Sequence, residues 1–203
     1  MHSVFVGDDE DMDPDERRRA HQRWSPPENE VAALVGGPAV VVADGDAAIV
    51  LSGVEHYSCG LRFTLQLYRR VEPPMDRARH GFPREVFVGV ELADGTRVME
   101  NDFHRTGAER FALSQRGGGG GGRTYEMAYW LAPAPPDGAV TVVVHAPDYD
   151  LPEGRVVVAA DDLAAARARV VELWPWEPDP PHSHEPPPRP TPPAGGWFDH
   201  ESE

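Results

Sequence analysis

The chain predicts a mainly β fold, an immunoglobulin-like antiparallel β-sandwich with one C-terminal α-helix. Short apolar runs recur from about residue 31 onward, with turn residues between them. The clearest runs alternate strictly between apolar and polar positions, as half-buried strands do. A helical period with an apolar stripe follows only after residue 160, so the one core-facing helix comes last.

Residues 1–28 read as an acidic, largely disordered N-terminal segment containing a short helix. The cluster Asp8-Asp9-Glu10-Asp11-Met12-Asp13 leads into Pro14. Asp13 can cap a helix that starts on Pro14, carries Asp15 and Glu16 in its first turn and arginines later, and ends before Ser25-Pro26-Pro27. Such a polar segment has little to bury and is expected to stay solvated and partly frayed.

Residues 29–175 form the expected sandwich domain. Ala39 to Ala43 and Ala47 to Leu51 flank Asp44-Gly45-Asp46, a hairpin with an Asp-Gly turn. From Gly60 the chain alternates Leu61, Phe63, Leu65 and Leu67 with Arg62, Thr64, Gln66 and Tyr68, which sets a core face against a wet one. Glu85 to Leu92 alternates again through Val86, Val88, Val90 and Leu92, and Asp94-Gly95 turns it into Thr96 to Glu100. Asn101 to Gly122 reads as a long loop, beyond which Tyr125, Met127, Tyr129 and Leu131 alternate with Glu126, Ala128 and Trp130. Pro135-Pro136-Asp137-Gly138 turns the chain into a central strand over 139–145, and Arg155 to Ala159 supplies a short last strand. Asp161 or Asp162 can cap a helix from Leu163 to Trp174 that places Leu163, Ala166, Val170, Leu173 and Trp174 on one stripe, and Pro175 stops it. This helix is expected to cover a sheet edge. Residues 176–203 are proline, acid and a few histidines, a disordered tail in which Trp197-Phe198 is a candidate docking pair.

Charge and composition narrow the function. The net charge of -15 disfavours nucleic acid and anionic membrane as partners. All 19 basic residues are arginine, so lysine chemistry, from Schiff bases to the P-loop, is absent. Cys59 is the single cysteine, which rules out an intramolecular disulfide. With no signal peptide and no stretch of the ~20 apolar residues a transmembrane helix needs, the expected address is the cytoplasm.

No motif for catalysis, metal or cofactor stands out. His56 precedes Cys59 by three positions without a nucleophile context, so Cys59 reads as a small buried residue. His182, His184, Glu185 and His200 lack the rigid, fully liganded setting of a zinc site, and His104 with Asp102 and His145 with Asp148 and Asp150 show no ligand spacing. The unbroken run Gly117, Gly118, Gly119, Gly120, Gly121 and Gly122 between Arg116 and Arg123 is the most unusual stretch. It reads first as a flexible or backbone-packed connector and second as an anion nest, its bare N–H groups aided by the two arginines. Tyr68 and Trp130, on the faces opposite the core, are candidate partner contacts.

The Asp-Gly hairpin, Gly-Leu-Arg-Phe-Thr-Leu-Gln-Leu, Phe-Val-Gly-Val-Glu-Leu-Ala-Asp-Gly, the poly-glycine stretch before an aromatic strand, Pro-Pro-Asp-Gly and the closing Glu-Leu-Trp-Pro resemble a group of uncharacterised actinobacterial proteins over residues 29–175. The resemblance implies an intracellular β-sandwich with a terminal helix and transfers no activity. The expected function is a non-catalytic module that recruits a protein partner; the alternative is small-ligand or anion binding, with or without hydrolysis, at the glycine stretch.

Overall fold

The computed structural model of the chain describes residues 13–71, 86–100 and 111–177. The acidic cluster before Asp13, the loop after Val71, residues 101–110 with Asp102 and His104, the histidine-bearing tail and the pair Trp197-Phe198 lie outside them.

The first helix, α1 (Pro14–Trp24), begins as its sequence dictates: the Asp13 side chain accepts a hydrogen bond from the Asp15 amide at 2.9 Å, and the chain leaves the helix at Ser25. Two short strands follow, β1 (Glu30–Val31) and β2 (Ala33–Leu34). β3 (Ala39–Asp44) and β4 (Ala47–Tyr57) then form the Asp-Gly hairpin, with Gly45 at φ +50° in the turn. β4 continues through Ser58-Cys59 into β5 (Gly60–Arg69), where Leu61, Phe63, Leu65 and Leu67 are buried as their alternation requires.

β6 (Phe87–Leu92) and β7 (Arg97–Met99) are joined at Gly95, φ +82°, where Asp94 Oδ1 accepts from the Thr96 amide at 2.9 Å. β8 (Ala112–Gly121) and β9 (Thr124–Ala132) make the next hairpin, and β10 (Val140–Ala146) and β11 (Leu151–Val158) the last. The last strand is therefore longer at its start than the sequence suggests, running from Leu151.

The hairpins alternate between two antiparallel sheets. The larger has the order β2-β4-β5-β9-β8, with β3 also paired to β4; the smaller has the order β11-β10-β6-β7. Their inner faces share one core that includes Ile49, Leu65, Leu67, Leu131, Val88, Val90, Val142 and Val144. Each of these side chains contributes roughly 2 kcal/mol by leaving water. Within the core Phe63 stacks on Tyr129, with ring centroids 5.3 Å apart.

The sheets also touch at both edges. On one side β11 approaches β3 so closely that a Cβ on Gly154 would lie 2.5 Å from the Val41 carbonyl oxygen. On the other, Glu100, just past β7, bridges Leu113 of β8.

The C-terminal helix departs from expectation. α2 (Ala160–Arg167) starts earlier, with Ala159 at the cap position and Asp161 and Asp162 inside the first turn, and it ends seven residues before Trp174. Leu163 and Ala166 are buried, whereas Leu173 and Trp174 are exposed. Strand pairing wins over helix continuation here: β12 (Val171–Glu172) pairs with β1, and the Leu173 amide donates to the Asn29 carbonyl at 2.8 Å. Adjacent β-branched Val170 and Val171 favour that outcome. The buried Asn29 side chain reinforces the junction by donating to the Trp174 carbonyl at 2.8 Å. α2 packs against β4 and β2, at the edge of the larger sheet.

Candidate functional site

The glycine run is neither a loop nor a nest. Gly117 to Gly121 are the second half of β8, paired residue by residue with β9 from Ala128 to Thr124. The connector reading is therefore corrected: aromatic β9, anchored in the core by Tyr125, Met127, Tyr129 and Leu131, is a template that orders the bare backbone beside it. Gly122 and Arg123 form the two-residue turn, with Gly122 at φ +59°, the first turn position at which a hairpin favours glycine. Arg69 grips this turn: its amide donates to the Arg123 carbonyl at 2.8 Å and its Nη2 to the Gly122 carbonyl at 2.6 Å.

An extended strand points successive N–H groups to opposite sides, so the run does not converge its donors on one anion. The flanking arginines are separated as well. Arg116 is the extra residue of a bulge between Gln115 and Gly117, whereas Arg123 sits in the turn at the far end of the strand.

The glycines are there for two different reasons. At Gly118 a Cβ would lie 2.8 Å from the Glu126 carbonyl oxygen, and at Gly120, φ +147°, it would lie 2.4 Å from the Thr124 carbonyl oxygen. Backbone packing admits no side chain at either. At Gly117, Gly119 and Gly121 a Cβ meets nothing within 4 Å, and none of the three has a left-handed φ. Any β-forming residue would fit there, and glycine in a strand costs roughly 0.5–1 kcal/mol relative to one with a side chain.

The space left open at Gly117 and Gly119 is a cleft of about 660 Å³ on the outer face of the larger sheet. Gly117, Gly119 and Ala128 are small residues in its lining, which also includes Ser25, Arg62, Arg116, Glu126 and Trp130. Arg116 Nη2 donates to Ser25 Oγ at 2.9 Å, and Arg62 lies 3.6 Å from a Glu55 carboxylate oxygen. Glu126 Oε2 accepts from Gln66 Nε2 at 3.3 Å, and the Gln66 Oε1 accepts from the Tyr68 hydroxyl at 2.5 Å. Tyr68 is exposed and lies in the cross-strand row of Thr124 and Gly121.

Alternation along β5 and β9 already assigns Arg62, Glu126 and Trp130 to the wet face in the sequence. The register that brings them beside Gly117 and Gly119, and the arrival of Ser25 from α1, have no sequence signal.

Trp130 is not exposed. It is fully buried beneath α1, with its Nε1 donating to the Gln22 carbonyl at 2.9 Å, its ring against Gly60 and an edge contact to Tyr57 at 5.5 Å. A Cβ on Gly60 would come within 2.5 Å of that ring, so the glycine makes room for it. The helix expected to stay solvated and partly frayed thus caps a second apolar cluster of Tyr57, Trp130 and Ala132, although it buries no residue of its own.

Cys59 packs at the border of this cluster, and burial, with Glu30 nearby, pushes its thiol up to about 12. A thiol held protonated is not a nucleophile. His56 is buried, and desolvation holds it below the usual histidine range. Among the described residues no group of three or more His, Cys, Asp or Glu side chains could hold a metal; His145 is instead stacked on Phe87 at 6.1 Å. None of the described helices is long and apolar enough to cross a membrane. No family model, curated protein or solved structure matches the chain.

Proposed function

We propose that the protein is a non-catalytic interaction module of the cytoplasm that binds an extended segment of a protein partner as an added strand on the glycine half of β8. The observation that carries this reading is the edge position of Gly117–Gly121 in the larger sheet. Every second residue of an edge strand turns its N–H and C=O away from the sheet, and Gly117–Gly121 carry no side chains of their own to screen them, Gln115 Nε2 reaching only the Gly117 carbonyl, at 3.4 Å, among the described residues. Edge strands are ordinarily blunted by charge, proline or brevity. This one is long, and beyond its single bulge no described strand pairs with its outer side. Strand addition draws affinity from main-chain hydrogen bonds and specificity from a pocket beside the edge, a role the cleft over Gly117 and Gly119 fits. The net charge of -15 favours a protein over nucleic acid or an anionic membrane.

The architecture is read as immunoglobulin-like because β4-β5-β9-β8 faces β11-β10-β6, the arrangement of the ABED and GFC sheets, with β7 added beside β6 and without that fold's paired cysteines. The second reading, a small anionic ligand, is favoured by Arg62 and Arg116 in one cleft. The extended backbone and the distance of Arg123 weaken it, and the raised Cys59 thiol weakens hydrolysis.

The test is selection of displayed peptides on the wild-type protein, followed by binding to Gly119→Val. The variant fits the strand but fills the cleft, so selected peptides should bind it about ten-fold more weakly or worse. Failure to select any peptide, or equal binding to the variant, would overturn the proposal.

A further inference from the structure

We infer that the partner segment is a chain terminus, and that its free α-carboxylate docks beside Arg116. This rests on the strand-addition reading above. Among the described residues every pairing between named strands is antiparallel, the lone Glu100–Leu113 bridge at the start of β8 being parallel, and β8 runs from Ala112 to Gly121. A guest that continues the pattern enters at Gly121 and runs toward Gly117, its C-terminal end leading to Arg116.

Beyond Arg116 the edge is occupied, because Glu100 already bridges Leu113. The free edge therefore has two ends: the hairpin turn at Gly122 and Arg123, and the bulge at Arg116. A guest cannot pass the second end in the plane of the sheet. A segment that stops there fits without a turn and leaves two carboxylate oxygens at the bulge.

The charge at that end is suited to them. Among the described residues the Arg116 guanidinium donates to the neutral Ser25 hydroxyl at 2.9 Å, and no carboxylate lies within ion-pair distance of it. Arg62 adds a second cation to the cleft, shared with Glu55 at 3.6 Å. Among the described residues the one acid lining the cleft is Glu126, which lies across the ladder from Gly119, the third pair beyond the bulge. A carboxylate at Arg116 gains a charge-assisted, potentially bidentate contact, whereas the same end capped as an amide does not.

The experiment uses the full chain and two N-acetylated pentapeptide libraries, matched to the five-residue edge Gly117–Gly121, one ending in a free carboxylate and one in a carboxamide. The acid library should bind the wild type about ten-fold more tightly than the amide library. Arg116→Gln should bring the acid library down to the amide's affinity and leave the amide unchanged, and Arg123→Gln should change neither. Equal binding of acid and amide to the wild type would overturn the terminus inference while leaving strand addition standing, as would an Arg116→Gln loss equal for both. Absence of binding by either library would overturn both.

Discussion

Gly119 lies directly opposite Glu126 in the β8–β9 ladder, and a Cβ added to it meets nothing within 4 Å. Its missing side chain is a choice that packing does not require. Gly120, one residue on, is the reverse: at φ +147° an added Cβ falls 2.4 Å from the Thr124 carbonyl oxygen.

Neighbouring substitutions should therefore have opposite signs. Gly119→Thr should raise stability by about 0.5–1 kcal/mol, through higher β propensity and lower entropy of the unfolded chain. Gly120→Ala should lower it by about 1–3 kcal/mol, the range for backbone strain at a disfavoured φ. Urea denaturation of both variants, with unchanged slopes, checks this; destabilisation by Gly119→Thr would show that packing does require glycine there.

The fold was largely legible, because alternation directly reports which face of a strand is buried: Leu61, Phe63, Leu65 and Leu67 are core, and Asp-Gly marks two of the turns. The glycine strand was not legible. Glycine has no side chain to alternate, so its strand state is imposed wholly by β9 across the ladder. The end of α2 was hidden for a similar reason, since the partner that converts Val171 and Glu172 to strand is Glu30–Val31, about 140 residues away along the chain. Trp130 carried a correct facing and a wrong environment. Alternation put it on the outer face, and nothing in a polar helix indicated that α1 would cover it.

That cover can be loosened. Trp130→Phe deletes the Nε1 donor to Gln22 and part of the ring volume against Gly60, and should cost about 2–3 kcal/mol. Undocking of α1 should appear as faster tryptic cleavage at Arg17, Arg18 and Arg19 under native conditions. Cleavage at the wild-type rate would mean that α1 is held by other contacts.

The Cys59 thiol, pushed up to about 12, should react slowly with iodoacetamide. At about pH 8 its thiolate fraction is on the order of a thousand-fold below that of a free cysteine, and native labelling should slow accordingly until denaturant is added. Labelling at the rate of a free thiol would place Cys59 in a far more open setting.

His56 should make the fold acid-sensitive. Desolvation, opposed by the Tyr57 backbone and Glu30 and aided by Arg167, holds its folded pKa below the ordinary 6.5. Above that ordinary value both states are neutral at this position and its contribution is fully present. As pH falls below it, the unfolded chain takes up the proton first, and stability declines until the folded pKa is passed. Denaturation midpoints between about pH 7.5 and pH 5.5 should fall in the wild type and flatten in His56→Gln. The same slope in both proteins would assign the sensitivity elsewhere.

Whether Gly117–Gly121 accepts a guest strand is read from nuclear Overhauser contacts between the isotope-labelled protein and a bound, selected peptide. A guest strand there should give cross-strand contacts from peptide backbone protons to the α-protons of alternate glycines in 117–121, together with slowed exchange of the outward-facing glycine amides. Peptide contacts confined to another face, with the exchange of those amides unchanged, would contradict it.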